Sequence, residues 1–521
     1  MELIRQWLES CHDGHPICQP TRVHSNSNPV RLIDVDQQTV VESSLEQRYI
    51  ALSYIWGSST APMLFRNTLS RYSSPNGLVN APTPQTISDA IQLVQNLGER
   101  YLWVDSLCIV QDDANDKLEQ LPIMGNVYRQ AYLVIVAAAG NDAHAGLPGM
   151  RDTVRREWQP TEIIKGVRFA AVRPSLDEAL KRTTWDSRGW TFQEMTLARR
   201  ILVFTERQIY YSCGTQTMRE DASLERALDT NDIIRPDEIQ FCRTRTYCHH
   251  VSQFSRRHFK EDGDILWAFM GILELHTARF QSGFIWGLPY ERLDATLLWS
   301  DIGTCPNVHV RDVQHNLALG APKDRIKFPS WSWLSSYGGV KFKDPCGDSV
   351  VSEVHWKKPI LAENNGTRLA KSSESILEYG LIRCTAKTAN IRPRATRVSE
   401  SDGVKELLPF WVEATMPHTS GERMGTIFVT DAVFDGGEEQ SGEFILLSSN
   451  AEGLNDATCV EDTDGLDCGN IQHVPGCKHI KSYNVMLIQW DDGIAYRRGL
   501  ATINKGDWAS ITTYEKHIVL G

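Results

Sequence analysis

Apolar strand-like runs and amphipathic helical stretches alternate over the first 215 residues, and this alternation is what most limits the folds open to the chain. Residues 49–56 (YIALSYIW) form a nearly continuous apolar run, as a strand covered on both faces requires. Gly57, Ser58 and Ser59 then open a loop. Ser88 is placed to cap a helix running to Leu97, with Ile87, Ile91, Val94 and Leu97 on one stripe and Gly98 as its stop. Residues 101–110 (YLWVDSLCIV) read as the next strand and end in Gln111-Asp112-Asp113. A second helix covers about 115–130, with Pro122 as a kink or restart. Residues 131–139 (AYLVIVAAA) form a third buried strand before Gly140-Asn141-Asp142. An insertion fills 150–184, and a helix around Arg188–Glu194 and strands at 201–204 and 208–213 complete the segment. Such alternation implies a parallel sheet with right-handed crossovers, whose ligands bind beyond the carboxyl ends of the strands. Those ends carry Trp56-Gly57, Asp112-Asp113 and Asn141-Asp142.

Beyond residue 215 the pattern changes. Residues 216–327 read mostly as helix, and from 328 onward β-rich runs follow one another between Gly and charged turns. One hydrophobic core does not serve 521 residues. The expected organisation is an N-terminal docking segment over 1–48, with Leu3, Ile4, Trp7 and Leu8 at helical spacing, and an α/β domain over 49–215 with its insertion near 150–184. A helical region over 216–327 and a β-rich C-terminal domain over 328–521 follow.

The formal net charge is −11, which argues against binding to phosphate backbones, since these reward basic patches. No apolar run approaches the roughly 20 residues that a membrane-spanning helix needs. The start of the chain lacks the basic and apolar regions of a signal peptide. The twelve cysteines are scattered, as in proteins of a reducing interior. A cytoplasmic protein without a membrane span and without nucleic acid is the expectation, and the sequon at Asn365-Gly366-Thr367 is then idle.

Within Arg188-Gly189-Trp190-Thr191-Phe192-Gln193-Glu194, Trp190 and Glu194 are four apart and share one face of a helix. A carboxylate against an indole is partly desolvated, which is how proteins make an ordinary Glu reactive. The competing reading puts Trp190 and Phe192 in a core and pairs Glu194 with Arg188 or Arg199. Cys11-His12, His15 and Cys18, and again Cys248-His249-His250 with His258, hold ligand-type side chains, but neither set has paired C-x-x-C spacing and no metal is expected. Cys108 with a distant His such as His144 is a weaker constellation, because a thiol inside an apolar strand is inert. No phosphate-loop, nucleophile-elbow, dinucleotide or zinc-protease motif occurs.

Three blocks in order resemble the fungal heterokaryon-incompatibility (HET) domain family: Ala51-Leu52-Ser53-Tyr54-Ile55-Trp56-Gly57, then Tyr101 to Ile109 with Gln111-Asp112, then Arg188 to Glu194. FPSWSW (328–333) and VMLIQWDDGIAYRRG (485–499) resemble the downstream region of such proteins. The resemblance implies a part in vegetative incompatibility, in which genetically distinct cells fuse and die, and an incompatibility partner protein that the sequence does not name.

HET domains are in turn similar to TIR domains, several of which hydrolyse NAD. Trp190-Thr191-Phe192-Gln193-Glu194 resembles the Trp-Cys-Leu-x-Glu stretch of plant TIR domains, with Thr191 where Cys is usual, and Leu52-Ser53-Tyr54 resembles their first-strand Leu-Ser-Phe. The insertion at 150–184 has no TIR counterpart. The implied fold is α/β: a TIR-like (flavodoxin-like) parallel sheet in the HET domain, then a helical segment and a β-rich C-terminal domain. The implied chemistry needs no cofactor and takes NAD as substrate, with Glu194 stabilising the sugar cation. Ser53 and Asp105 would orient ribose hydroxyls, Trp56-Gly57 and Trp190 would flank a ring, and Arg188 would neutralise pyrophosphate. TIR enzymes complete their sites by self-association, which extends to this domain by the same resemblance. The alternatives are a non-catalytic death-signalling or protein-interaction module, or an accessory protein in fungal metabolism.

Overall fold

A computed structural model describes residues 1–19, 29–57, 63–150, 153–155, 159–181, 183–227, 243–301, 312–314, 325–336, 338–343, 350–357, 380–392, 394–395, 412–417, 423–429, 442–450 and 482–521. The chain forms two compact units, Met1–Ile239 with Trp267–Ile272, and Gln240–Leu266 with Leu273–Gly521. The sequon at Asn365 lies outside the described residues.

In the first unit, helix α1 (Glu2–Gly14) buries Ile4, Trp7, Leu8 and Cys11. Strands β1 (Val30–Asp34) and β2 (Thr39–Ser43) form a hairpin, and β3 (Ile50–Ser53) follows. After helices α2 (Arg66–Tyr72) and α3 (Gln85–Asn96) comes β4 (Tyr101–Trp103). Helices α4 (Asp105–Cys108), α5 (Ala114–Gln120) and α6 (Met124–Gln130) lead to β5 (Leu133–Ala137). The insertion holds an exposed hairpin, β6 (Thr161–Ile164) and β7 (Val167–Ala170), and helix α7 (Leu176–Leu180). Helix α8 (Gly189–Thr196) then precedes β8 (Arg200–Phe204), β9 (Ile209–Cys213), β10 (Gln216–Arg219) and β11 (Ala222–Ala227).

Nine strands make one sheet in the order β11-β10-β9-β8-β5-β3-β4-β1-β2. Its centre is parallel, with β4 on β3, β3 on β5 and β5 on β8, while β1–β2 and β9–β11 add antiparallel edges. Counted along the chain, the four parallel strands lie in the order second, first, third, fourth. The order therefore reverses beside β3, the arrangement for which right-handed crossovers would place α3 and the later helices on opposite faces. Helices α6 and α8 accordingly pack together. The parallel strands are entirely buried in β3, β5 and β8, which is why they read as continuous apolar runs.

Several local expectations shift. The helix expected to be capped by Ser88 starts four residues earlier, with Pro84 as its cap and a fixed φ that suits a helix start; Gly98 does take the left-handed conformation at its end, with φ +77°. The strand expected over 101–110 ends at Trp103, and Asp105–Cys108 form a helical turn, so Cys108 is not in a strand. Alternation alone does not separate a short buried strand from a buried helical turn. Pro122 behaves as expected, sitting in a single 3-10 turn between α5 and α6. The segment before residue 49 docks a helix and also supplies β1, which pairs with β4, and the edge strand β2.

The second unit has a helix at Arg243–Ser255, the two ends of the helix Asp264–Thr277, whose middle Trp267–Ile272 belongs to the first unit, and a large, mainly antiparallel sheet. Gly442–Asn450, Ile382–Ile391, Tyr514–Leu520, Ile494–Asn504 and Ser482–Asp491 pair in a closed circuit. FPSWSW supplies core: Phe328, Trp331 and Trp333 are buried, and the Trp333 indole donates to the Tyr247 hydroxyl at 3.0 Å. In VMLIQWDDGIAYRRG, Asp492-Gly493 turns the hairpin with both φ positive, and Arg497 stacks on Trp299 at 3.8 Å. No helix among the described residues is long and apolar enough to cross a membrane.

Candidate functional site

The first strand of the parallel set ends at Ser53, where the strand order reverses. Ser53 is buried among apolar neighbours, so its hydroxyl needs polar partners. It has two. The Trp185 indole donates to Ser53 Oγ at 2.9 Å, and Ser53 Oγ donates to Glu194 Oε2. Helix α8 brings Glu194 to this point, and Glu194 is only 5% exposed. Burial pushes its carboxyl up to about 7, and the charge of Asp105 adds to the rise. The Ser53 hydrogen bond, the Arg188 charge and the Tyr128 hydroxyl pull the other way.

Asp105 opens α4 just past β4. Its Oδ2 accepts from the Trp56 indole at 2.8 Å and its Oδ1 from the Ser106 amide at 2.7 Å. Burial is the main force raising its carboxyl, to about 6, against those two hydrogen bonds and Arg188. The Tyr54 hydroxyl donates to Ser106 Oγ at 2.8 Å, and Arg188 donates to the Tyr54 carbonyl at 3.2 Å. Two buried acids, each held partly protonated near neutrality, therefore sit in one electrostatic neighbourhood, with Arg188 as the positive charge that both feel.

Each residue singled out from the sequence has a definite place. Ser53 and Glu194 touch, Trp56 and Asp105 touch, and Arg188 reaches Tyr54 between them in sequence. Glu194 is in no ion pair with Arg188 or Arg199 among the described residues. Trp190 is partly buried and packs against the core cluster, as does Trp56. Gly57 holds φ +69°, and a Cβ there would lie 2.4 Å from Asp142 Cβ, so the strand-end loops close on each other through a glycine. The other strand-end acids have structural duties. Asp113 caps α5 and pairs with Arg66 at 2.9 Å, Asp112 accepts from the Arg66 amide at 2.8 Å, and Asp142 accepts from the His144 amide at 2.8 Å. Cys108 is buried, and burial pushes its thiol up to about 12, away from the thiolate form that a nucleophile needs.

Sequence reasoning missed Trp185 and Tyr128. Trp185 is fully buried, and its indole fixes the hydroxyl that faces Glu194. Tyr128 on α6 donates to the Leu52 carbonyl at 3.3 Å. Nothing local marks either one, since each reaches the site only through the packing of its element.

This is an α/β domain on a mixed nine-stranded sheet with a parallel centre, and an enclosed carboxyl–hydroxyl pair lies at the end of β3. Residues 49–194 match the family Heterokaryon incompatibility protein (HET). It is similar to heterokaryon incompatibility protein 6, OR allele, of Neurospora crassa, with 29% identity over 94 residues. That match spans 17% of this chain and 14% of the relative's length. No solved structure matches the chain. The family boundaries run from Tyr49, at the edge of β3, to Glu194, so Ser53, Trp56, Gly57, Asp105, Arg188, Trp190 and Glu194 all fall inside the matched segment.

Proposed function

We propose that this HET domain acts in vegetative incompatibility as a TIR-like NAD glycohydrolase, with Glu194 as its catalytic carboxylate. The observation that carries this reading is the buried Ser53–Glu194 pair at the sheet's switch point, where doubly wound folds bind nucleotides. Cleavage of the ribosyl–nicotinamide bond passes through an oxocarbenium-like state, as glycoside cleavage does. Nicotinamide is cationic in NAD and leaves as a neutral ring, so one carboxylate serves, by stabilising the sugar cation and gripping ribose hydroxyls. Ser53 holds that carboxylate in place, Asp105 and Trp56 supply a second polar contact, and Arg188 brings positive charge for pyrophosphate. In the conformation described, Glu194 is enclosed, so NAD enters only after the strand-end loops and α8 part. Self-association of the domain is the proposed trigger, and cell death through NAD loss is the proposed outcome, with a cytoplasmic location following from the substrate.

The same enclosure favours a second reading, a non-catalytic death-signalling module in which Glu194 locks α8 to β3. The experiment that separates them is nicotinamide release by the purified full chain at high concentration with crowding agent, wild type against Glu194→Gln. Release by wild type and loss of at least a hundredfold in the variant supports the enzyme. Equal release by both removes Glu194 from the mechanism. No release from either folded protein under self-associating conditions favours the module.

A further inference from the structure

Cys11, His15, Cys18 and Cys213 lie outside the site above, and their ligand atoms all fall within 4.8 Å of one another. The first three come from one local turn. Cys11 is in the last turn of α1, His15 is the extended residue that ends it, and Cys18 closes the 3-10 turn Pro16–Cys18. Backbone bonds from His15 to the Cys11 carbonyl at 3.2 Å and from Cys18 to the His15 carbonyl at 3.0 Å fix this knuckle. The fourth residue, Cys213, ends β9. All three sulfurs are buried, with Cys11 and Cys213 at 0% exposure, and Cys213 Sγ is 3.5 Å from His15 Nδ1.

The separations suit a single tetrahedral ion. With Zn–S near 2.3 Å and Zn–N near 2.0–2.1 Å, a tetrahedron places its ligand atoms roughly 3.5–3.8 Å apart. A disulfide would join two of the sulfurs and leave the third thiol and the imidazole unused, whereas one zinc uses all four. A second observation concerns charge. Arg200 is 2% exposed and stands directly across the strand pair from Cys213. Its Nε donates to Cys11 Sγ at 3.3 Å, and no carboxylate among the described residues forms an ion pair with it. A buried guanidinium needs a counter-charge. Zinc with three thiolates and a neutral imidazole carries a net charge of −1, which matches the one positive charge of Arg200.

We propose that Cys11, His15, Cys18 and Cys213 form a structural Cys3His zinc site that staples the N-terminal helix to strand β9. Binding converts three thiols to thiolates and releases three protons to solvent, with no change of oxidation state. Arg200 supports the site from outside the ligand set by its hydrogen bond to Cys11. The ligand set is closed, so the ion has a structural role and leaves no position for substrate.

The test uses the purified full chain. Elemental analysis is expected to find one zinc per chain, released by a thiol-specific mercurial together with a matching drop in thermal midpoint. The double variant Cys18→Ser/Cys213→Ser is expected to lose the metal, while Cys108→Ser, a buried thiol elsewhere, keeps it. Should the double variant fail to fold, metal-free wild type titrated with cobalt(II) gives the same answer. Thiolate-to-cobalt charge transfer and tetrahedral ligand-field bands saturating at one equivalent support the site. A wild-type chain that is free of zinc as purified and gives no such bands with cobalt overturns it, as does a disulfide between any two of these cysteines in the freshly reduced and desalted protein.

Discussion

The Ser53–Glu194 pair sets a pH dependence that does not rely on any activity. An ordinary glutamate titrates near 4.5, and burial lifts Glu194 to about 7 in the folded chain. The native state then binds the proton more tightly than the unfolded one, so stability from this group is fullest at low pH and declines as pH rises from about 4.5 through 7. The whole effect is on the order of 3 kcal/mol. Glu194→Gln is neutral throughout, so the variant should be more stable than wild type at about pH 8, and the gap should close near pH 4. Urea midpoints at the two pH values read this directly; a gap that is constant with pH would mean that Glu194 is not held as described. If the proposed chemistry holds, nicotinamide release rises through pH 7 as Glu194 ionises, the opposite slope to stability. Ser53→Ala has a separate signature. It leaves the Trp185 indole and the Glu194 carboxyl without their shared partner, at a cost of roughly 1–3 kcal/mol for each buried group.

At the scale of elements, the loops after the parallel strands are held at close quarters by glycine. Gly57→Ala puts a Cβ 2.4 Å from Asp142 Cβ in a left-handed backbone, and about 2–4 kcal/mol of destabilisation is expected from strain and crowding together. Gly98→Ala shares the positive φ but meets nothing within 4 Å, so it should cost about 1–2 kcal/mol. Thermal midpoints that rank the two variants the other way would show that the β3 and β5 loops are not in contact. These elements also show what the sequence made legible and what it did not. YIALSYIW and AYLVIVAAA announced β3 and β5 because strands covered on both faces must be apolar throughout. Pro122 announced the break between α5 and α6 because its ring forbids the helix from continuing. YLWVDSLCIV misled because apolar character does not distinguish β4 from the buried turn of α4 that follows it. The site shows the same division. Spacing within Arg188–Glu194 pointed to Glu194, and Ser53 came with the first strand. Trp185 and Cys213 acquire their partners only through long-range pairing that no local pattern encodes.

At the scale of the whole molecule, chain order and structural unit do not coincide. Residues 267–272 belong with the first unit although the 27 residues Gln240–Leu266 of the second separate them from the rest of it. Within that unit Gly271 comes so near to Gly125 on α6 that a Cβ at position 271 would lie 2.9 Å from the Gly125 Cα. The Arg129 guanidinium also donates to the Gly271 carbonyl at 3.2 Å. Leu197, at the end of α8, lines the same spot, 2.6 Å from that Cβ. A leucine side chain turns aside easily, but the Gly125 backbone does not, so Gly271→Ala should destabilise the protein by roughly 1–3 kcal/mol. A fragment ending at residue 239 should then be less stable than one ending at 277, because it leaves Gly125, Arg129 and Leu197 without the segment they pack on. Hydrogen exchange is the measurement that localises this effect. Faster exchange of the α6 and α8 amides in the shorter fragment, with β3 and β5 unchanged, is expected. Identical protection in the two fragments would mean that residues 267–272 are not part of the first unit in solution.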